Sequence, residues 1–474
     1  MVAGIVALGY DSSAMPLVND VHSRLNETRV ERIVPVDSAA AVVAAVREAR
    51  AAGRAVSIAG SRHAMGGQQF GTDTVLLDLR PLRRVLAFDP EAGTVEAEAG
   101  IEWPELMAGY LALQGEHGWG IAQKQTGADR LTLGGSIAVN GHGRGLALRP
   151  LIGDAESFTL IDADGEVRRC SRSEDPELFR LAIGGYGLFG VITSVVLRLT
   201  PRRKLERVVE LGRMGGLMAA FEERIGGGFL YGDFQFSIDD RSPDFLDQGV
   251  FSCYRPVDPE TPIPEAQREL SDEDWKELLW LAHADKSRAF DLYARYYLGS
   301  SGQIYWSDTH QLTPYFDGYH AGIDRRLDAA HPGTEMIGEL YVPRQRLADF
   351  MAAAAEELRR LEAEVIYGTV RLIERDGESV LAWAREPWAC IVFNLCVAHT
   401  PEGKERAAEA FRALTDLAMA RGGSYFLTYH RWVRRDQVEA CHPRLRELLA
   451  AKQQHDPEER FQSDWYRFYR EMLA

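Results

Sequence analysis

Apolar and polar residues alternate along this chain with a period that changes from segment to segment. Arg32 to Val36 is short and β-branched, which predicts a strand. Asp37 and Ser38 can cap the Ala-rich run AAAVVAAVREARAAG, a helix ending at Gly53, and Ala55 to Ala59 is a second strand. The loop GSRHAMGGQQFG, residues 60–71, leads into another strand, VLLDL. Residues 84–100 alternate about a turn at Asp89 and Pro90, and a helix is predicted over Pro104 to Gln114. SFTLIDADGEVRRCS reads as a hairpin across Asp164-Gly165. GGYGLFGVITSVVLRLTPR, residues 184–202, is a glycine loop running into a strand.

The character changes after Pro201, so a boundary is placed near residue 205. Residues 240–290 are acidic and read as helix or loop, with several Trp and Tyr. From 335 to 460 the elements alternate again. MAAAAEELRRLEAEV and GKERAAEAFRALTDLAMARGG are amphipathic helices, set between the strands ELYVPR, VIYGTVRLI, ACIVFNLCV and SYFLTYHR. The closing segment RFQSDWYRFYREML is expected to fold back on the first part. The fold class is therefore α+β.

Composition narrows the function. The 474 residues suffice for two large units or about three of ordinary size. Lys and Arg number 54 against 70 Asp and Glu, a net charge of −16, which disfavours nucleic acid or an anionic membrane as general partner. No apolar run reaches the roughly 18 residues of a membrane span. The opening MVAGIVALGY lacks a basic stretch and a clear cleavage site, so it is not read as a signal peptide. Five scattered cysteines make no disulfide framework, and a reducing, cytoplasmic setting is the expectation.

Three Gly-rich stretches carry the candidate chemistry: residues 60–67, 126–146 and 184–190. Glycine at three separate places suggests close approach of backbone to a large ligand. Gly185 to Gly190 fits G-x-G-x-x-G, but these glycines precede a strand instead of opening a helix, so a nicotinamide fingerprint is not supported. The loop Gly60 to Gly67 leaves a strand, and its successive N–H groups can converge on an anion. His63 within it is either a loop residue bonded to backbone or a ligand contact. No metal-ligand spacing, G-x-S-x-G elbow or phosphate loop is present. Cys390 and Cys396 read as buried structural thiols.

In their order, GSRHAMGG, TGADRLTLGGSIAVNGHGRG and DPELFRLAIGGYGLFGVITSVVLRL resemble the flavin domain of the vanillyl-alcohol oxidase superfamily of FAD-linked oxidases and dehydrogenases. GELYVPR, VRLIERDGESVLAW, LTYHRWV and HDPEERFQSDWYR resemble its sugar-alcohol branch, with the alditol and aldonolactone oxidases; decaprenylphosphoryl-ribose oxidase is a further relative in several segments. The resemblance covers nearly everything except about 205–330. It implies a two-domain, PCMH-type FAD-binding fold. Residues 1–205, with the tail 456–474 packed back, would bind FAD, and residues 206–455 would form an antiparallel-sheet substrate domain. The acidic stretch 240–320 departs from the compact relatives and is expected to shape a pocket or lid.

The resemblance also assigns residues. His63 stands where the family bonds FAD covalently, and NGHGRG lacks the Cys of a second link. Contacts with FAD are expected from Ala59, Gly60, Ser61, Arg62, His63, Ala64 and Gln68, from Thr126, Gly127, Ala128, Thr132, Gly134, Gly135 and Ser136, from Asn140, Gly141, His142 and Gly143, and from Gly190, Val191 and Ile192. Gly141 stands where a side chain in aldonolactone enzymes blocks oxygen, which implies an oxidase. Arg371 stands where relatives touch substrate, and alternation along VRLIER puts Glu374 on the other face. His430 is the leading candidate base, with Tyr429, near the ribose oxidases' Lys, and His142 as competitors.

The expected reaction is oxidation of a C–OH group of a sugar, polyol or related alcohol. A base takes the hydroxyl proton while hydride passes to flavin N5, and oxygen then returns the flavin to its oxidised form, giving hydrogen peroxide. The alternatives are a dehydrogenase or epimerising oxidase using a quinone or protein acceptor, and a non-catalytic flavin-binding protein. Expected partners are the small-molecule substrate and oxygen, with an oligomer compatible with all of these readings.

Overall fold

A computed structural model describes residues 15–127 and 129–474. The reading of the first ten residues therefore lies outside the described residues, as does Ala128. Three larger sheets, besides a two-stranded antiparallel pair of Leu17–Val18 and Thr28–Arg29, carry the α+β architecture. A parallel three-stranded sheet runs in the order Arg32–Pro35, Val75–Asp78, Val56–Ala59. Its helix Ala39–Ala51 starts at Ser38, whose hydroxyl accepts from the Ala41 N–H, and the chain leaves it through Gly53 at φ 63°. Val42, Val46 and Ala49 bury one face of that helix against Val56, Val75 and Leu77.

Next to it lies an antiparallel sheet ordered Val167–Ser171, Ala155–Ile161, Val191–Pro201, Thr94–Glu98, Val85–Asp89, with Trp119–Ile121 paired to the far end of Val191–Pro201. These are the expected hairpins and the expected glycine-fed strand.

The third sheet has eight antiparallel strands: Ile304–Trp306, Lys204–Arg213, Gln248–Pro256, Tyr231–Phe236, Val365–Ile373, Trp388–Ala398, Gly333–Pro343 and Ser424–Tyr425. Alternation along Gly333–Pro343 decides what each face sees. Even positions face helices: a Cβ on Gly338 would come 2.1 Å from the ring of Phe411, on the helix Pro401–Met419. Odd positions Glu335, Ile337 and Glu339 occupy the opposite face.

Two sequence expectations fail here. Residues 240–290 are not wholly helix or loop, because Gln248–Pro256 is an interior strand. Six consecutive residues of it are buried, so no polar alternation marks it. The run SYFLTYHR is strand only at Ser424–Tyr425 and then turns.

The C-terminal segment packs against the first part of the chain. The Val56 N–H donates to Arg460 O at 2.6 Å and the Gln462 N–H to Val56 O at 2.9 Å, extending the edge of the parallel sheet. Trp465 stacks on Tyr186 with ring centres 4.4 Å apart and donates its indole N–H to Leu427 O. Among the described residues no helix is long and apolar enough to cross a membrane.

Candidate active site

The strand Val56–Ala59 delivers the chain to Gly60. A Cβ there would lie 2.3 Å from Thr132 Oγ1, so glycine is needed for the loop to lie against the helix Leu133–Ala138. The same Thr132 hydroxyl caps that helix by accepting from the Gly135 N–H. Arg62 takes the left-handed region at φ 62°, an arrangement that L residues adopt only under constraint. His63 is buried, its Nδ1 lies 2.8 Å from Nε2 of His22, and both rings meet Tyr315 edge-on. Burial, with His22 and Arg130 nearby, lowers His63 to about 3, and burial lowers His22 to about 4. Both imidazoles are neutral at physiological pH, the form that carries a nucleophilic lone pair.

The glycine loops open on a cavity of about 490 Å³. Of the residues expected to meet FAD, Gly60, Ser61, Arg62, His63, Ala64, Gln68, Thr126, Gly127, Thr132, Gly134, Gly135, Ser136, Gly190 and Ile192 line it. Met65, Val139, Tyr186, Gly187 and Phe189, inside the Gly-rich stretches but not assigned individually from sequence, line it too, as do Gln69 and Gln125. The cavity has the chemistry of a large hydrogen-bonding ligand. Arg62 Nε, Gln68 Oε1, Gln69 Oε1, Arg371 Nε and Asn394 Oδ1, all on lining residues, are buried without partners among the described residues. Among the described residues a Cβ on Gly127 would meet nothing within 4 Å, leaving open backbone for a ligand.

The eight-stranded sheet supplies another wall. Ile337, Tyr367, Arg371, Val392 and Asn394 line the cavity, with Thr428 and Tyr429 from the turn after Ser424–Tyr425. Tyr367 pairs with Asn394 and Arg371 with Cys390 across adjacent strands. Tyr429 donates to Glu339 Oε2 at 3.2 Å, and Glu339 Oε1 lies 2.7 Å from His142 Nε2. Burial raises the Glu339 carboxyl, but the facing His142, Tyr341 and Arg371 outweigh it and hold it at about 2. Burial, and then the Glu339 carboxylate, push the Tyr429 phenol well above its usual value.

Residues 30–171 match the family described as FAD binding domain. The chain carries an FAD binding domain. The match agrees with the superfamily to which the glycine loops pointed. Relatives include an uncharacterized oxidoreductase of the fasciation locus of Rhodococcoides fascians, 29% identical over 198 residues, which are 41% of this chain and 42% of that protein. Cytokinin dehydrogenase 2 of Oryza sativa subsp. japonica is 31% identical over 200 residues, 40% of this chain and 34% of that protein. Decaprenylphosphoryl-beta-D-ribose oxidase of Mycolicibacterium smegmatis is 29% identical over 162 residues, 34% of each. The matches thus span well under half the length of these relatives.

Several expected contacts, all but Val191 within the matched residues 30–171, fall outside the cavity lining: Ala59, Asn140, Gly141, His142, Gly143 and Val191. Asn140 is a clamp instead, donating to Asp376 Oδ2 and accepting from the Ile152 N–H, both at 2.9 Å. Gly141 is not an open passage. The place its Cβ would take is filled by Gln125 Oε1, 1.5 Å away, which accepts from the His142 N–H. Gly143 is pressed against Gln123, and Glu374 pairs with Arg344 away from the cavity. Cys390 is buried as expected, whereas Cys396 is only half-buried. The sequence pointed to no metal site, yet His142, Glu339 and Cys390 bring their donor atoms within 4.8 Å of one another. The nitrogen and oxygen donors of that trio are bonded to each other.

His430, the leading base by sequence, is misplaced by the strand reading. The turn sends Tyr429 to the cavity and His430 into the core, between Phe411 at 4.5 Å and Trp432 at 5.4 Å, with Nδ1 buried and without a partner among the described residues. Burial, and then Arg412, push it down to about 3. The folded state therefore resists protonation of His430 while the unfolded chain binds a proton below about 6.5. This group costs stability as pH falls from about 6.5 towards about 3. His430→Phe should lose less stability than wild type between pH 7 and pH 5, read by urea midpoints. It should also reduce its FAD within about threefold of the wild-type rate, well short of the 100-fold or more lost with a base.

Proposed function

We propose that this protein is a two-domain FAD-dependent oxidoreductase that oxidises the carbinol carbon of a small-molecule alcohol. Residues 1–205 and 456–474 hold FAD, and residues 206–455 cover it and shape the substrate space. The observation that carries the reading is that one cavity is lined both by the glycine loops and by Arg371 and Tyr429. FAD, when bound, supplies the hydride acceptor. Gly60, Thr126, Gly127, Thr132, Gly134 and Gly135 would hold it through backbone and hydroxyl groups. The substrate hydroxyl proton goes to Tyr429 Oη as the Tyr429 proton moves to Glu339 Oε2, while His142 holds Oε1 at the far end of the relay. The Arg371 guanidinium binds the substrate oxygen as negative charge develops on it.

Molecular oxygen is proposed as the electron acceptor, as the resemblance to oxidases implies. A dehydrogenase is the second reading, favoured by the Gln125 amide that fills the space beside Gly141. Incubating the holoprotein with a panel of alcohols, under air and with a soluble quinone, tests both. The oxidase reading expects one peroxide per carbonyl formed under air; product with quinone alone supports the dehydrogenase. No carbonyl with either acceptor would contradict alcohol oxidation.

His63 is proposed as the covalent attachment point of FAD, supported by its neutral, buried imidazole on the cavity wall. Acid precipitation should leave yellow colour in the wild-type pellet and none in that of His63→Ala. Flavin that washes out of the wild type with acid would refute the linkage.

A further inference from the structure

We propose that the cavity takes an alcohol whose non-reacting part is an aromatic ring or compact hydrocarbon, seated beneath the helices Asp272–Ala284 and Lys286–Gly299. The inference rests on the alcohol-oxidising reading and names its substrate class. Both helices lie outside the matched residues 30–171, and their inner faces line the same cavity as the glycine loops. They are built as a wall. A capping box at Ser271 and Asp274 starts the first, and the Asp285 side chain caps the second. His283 on the first helix lies 3.2 Å from Glu335 Oε1, and Tyr319 donates to Glu335 Oε2 at 2.7 Å, tying helix and neighbouring turn to the sheet. Arg207 donates to Ser300 Oγ just past the second helix and lies 5.0 Å from the Tyr297 ring centre.

The wall they present is apolar. Trp275, Leu278, Leu279 and Ala282 come from the first helix, Ala289 and Phe290 from the second. Among these six only the indole carries a polar side-chain atom. Tyr293 and Tyr297 add ring surface, their centres 4.3 Å apart, and the two phenol hydroxyls of this wall. A polyol laid against those six side chains would leave most of its hydroxyl groups desolvated without partners, which binding sites avoid. Most polar lining groups lie off these two helices, on the sheet at Asp233, Gln235, Glu335, Arg371 and Asn394 and on the following turn at Tyr429. One hydroxyl at the polar wall and an apolar arm at the helical wall match this division, and a free sugar alcohol does not.

The test is equilibrium binding to the holoprotein, read from the perturbation of the visible flavin spectrum. The probes are toluene, benzyl alcohol and xylitol, with Leu279→Asn and Phe290→Ser as variants of unchanged FAD content. Toluene and benzyl alcohol should bind at least about tenfold more tightly than xylitol. Each variant should weaken toluene by about 10-fold or more and xylitol by less than about twofold, the scale of lost apolar pocket contacts. Xylitol binding as tightly as benzyl alcohol, absent toluene binding, or variants that leave toluene unaffected would overturn the proposal. If toluene binds as expected but no alcohol bleaches the flavin anaerobically, the apolar compartment stands and alcohol oxidation falls.

Discussion

Tyr429→Phe should slow anaerobic reduction of the bound FAD by roughly 100- to 10,000-fold, the usual loss on removing a proton-transfer group. The substitution removes one oxygen and keeps the ring, which packs edge-on against Phe426 at 5.9 Å. Glu339 keeps its bonds to His142 and Tyr341, so its buried carboxylate stays partnered. The phenol is held well above its ordinary value by burial and by Glu339, so a standing phenolate is not the base near neutrality. In the proposed relay Tyr429 passes its proton to Glu339 as it accepts one from substrate; Glu339, held at about 2, stays ionised throughout the working range but is a weak base, so the transfer proceeds only as hydride departure acidifies the substrate hydroxyl. Stopped-flow mixing of substrate with variant and wild type, matched for FAD, reads the effect. A rate within about fivefold of wild type would remove Tyr429 from the relay.

Arg371→Met should cost roughly 100- to 1,000-fold in the same rate, as expected when a fixed donor to a developing oxyanion is lost from a dry site. Arg371 is buried, its Nε lacks a partner among the described residues, and its side chain donates to Thr126 Oγ1 on the glycine-loop side of the cavity. That contact spans the cavity wall from sheet to flavin loop, so FAD content must be measured alongside the rate. Methionine retains much of the arginine stem and removes the charge. An unchanged reduction rate with full FAD occupancy would show that the guanidinium holds a loop and not the substrate.

The parts legible in the sequence are those in which one local signal suffices. Ser38 followed by an Ala-rich amphipathic run gave its helix, and VIYGTVRLI gave its strand to the residue, at Val365–Ile373. The glycine loops were readable because backbone that a ligand approaches needs residues without Cβ. What failed depended on long-range packing. Gln248–Pro256 is flanked by strands on both sides and buried on both faces, so no period marked it. LTYHR has strand composition, but Thr428 is held by Gln68 and Trp465 bonds Leu427, and the resulting turn exchanged the places expected for Tyr429 and His430. Gly141 looked open in sequence; Gln125, from a segment far along the loop, fills the space. Two signals were present and unused. Glu335 and Glu339 are two carboxylates four residues apart in an otherwise largely apolar strand, and Tyr367 lies four residues before Arg371, hence on the same face.

The central claim is that substrate electrons enter FAD held in this cavity, and anaerobic mixing of the yellow holoprotein with benzyl alcohol tests it most directly. The account predicts that the visible flavin band bleaches in a single turnover, that one carbonyl forms per flavin reduced, and that Tyr429→Phe bleaches at least about 100-fold more slowly with the same FAD content. A purified protein that takes up no FAD, or one whose flavin stays oxidised with benzyl alcohol and every other alcohol in the panel, would contradict it.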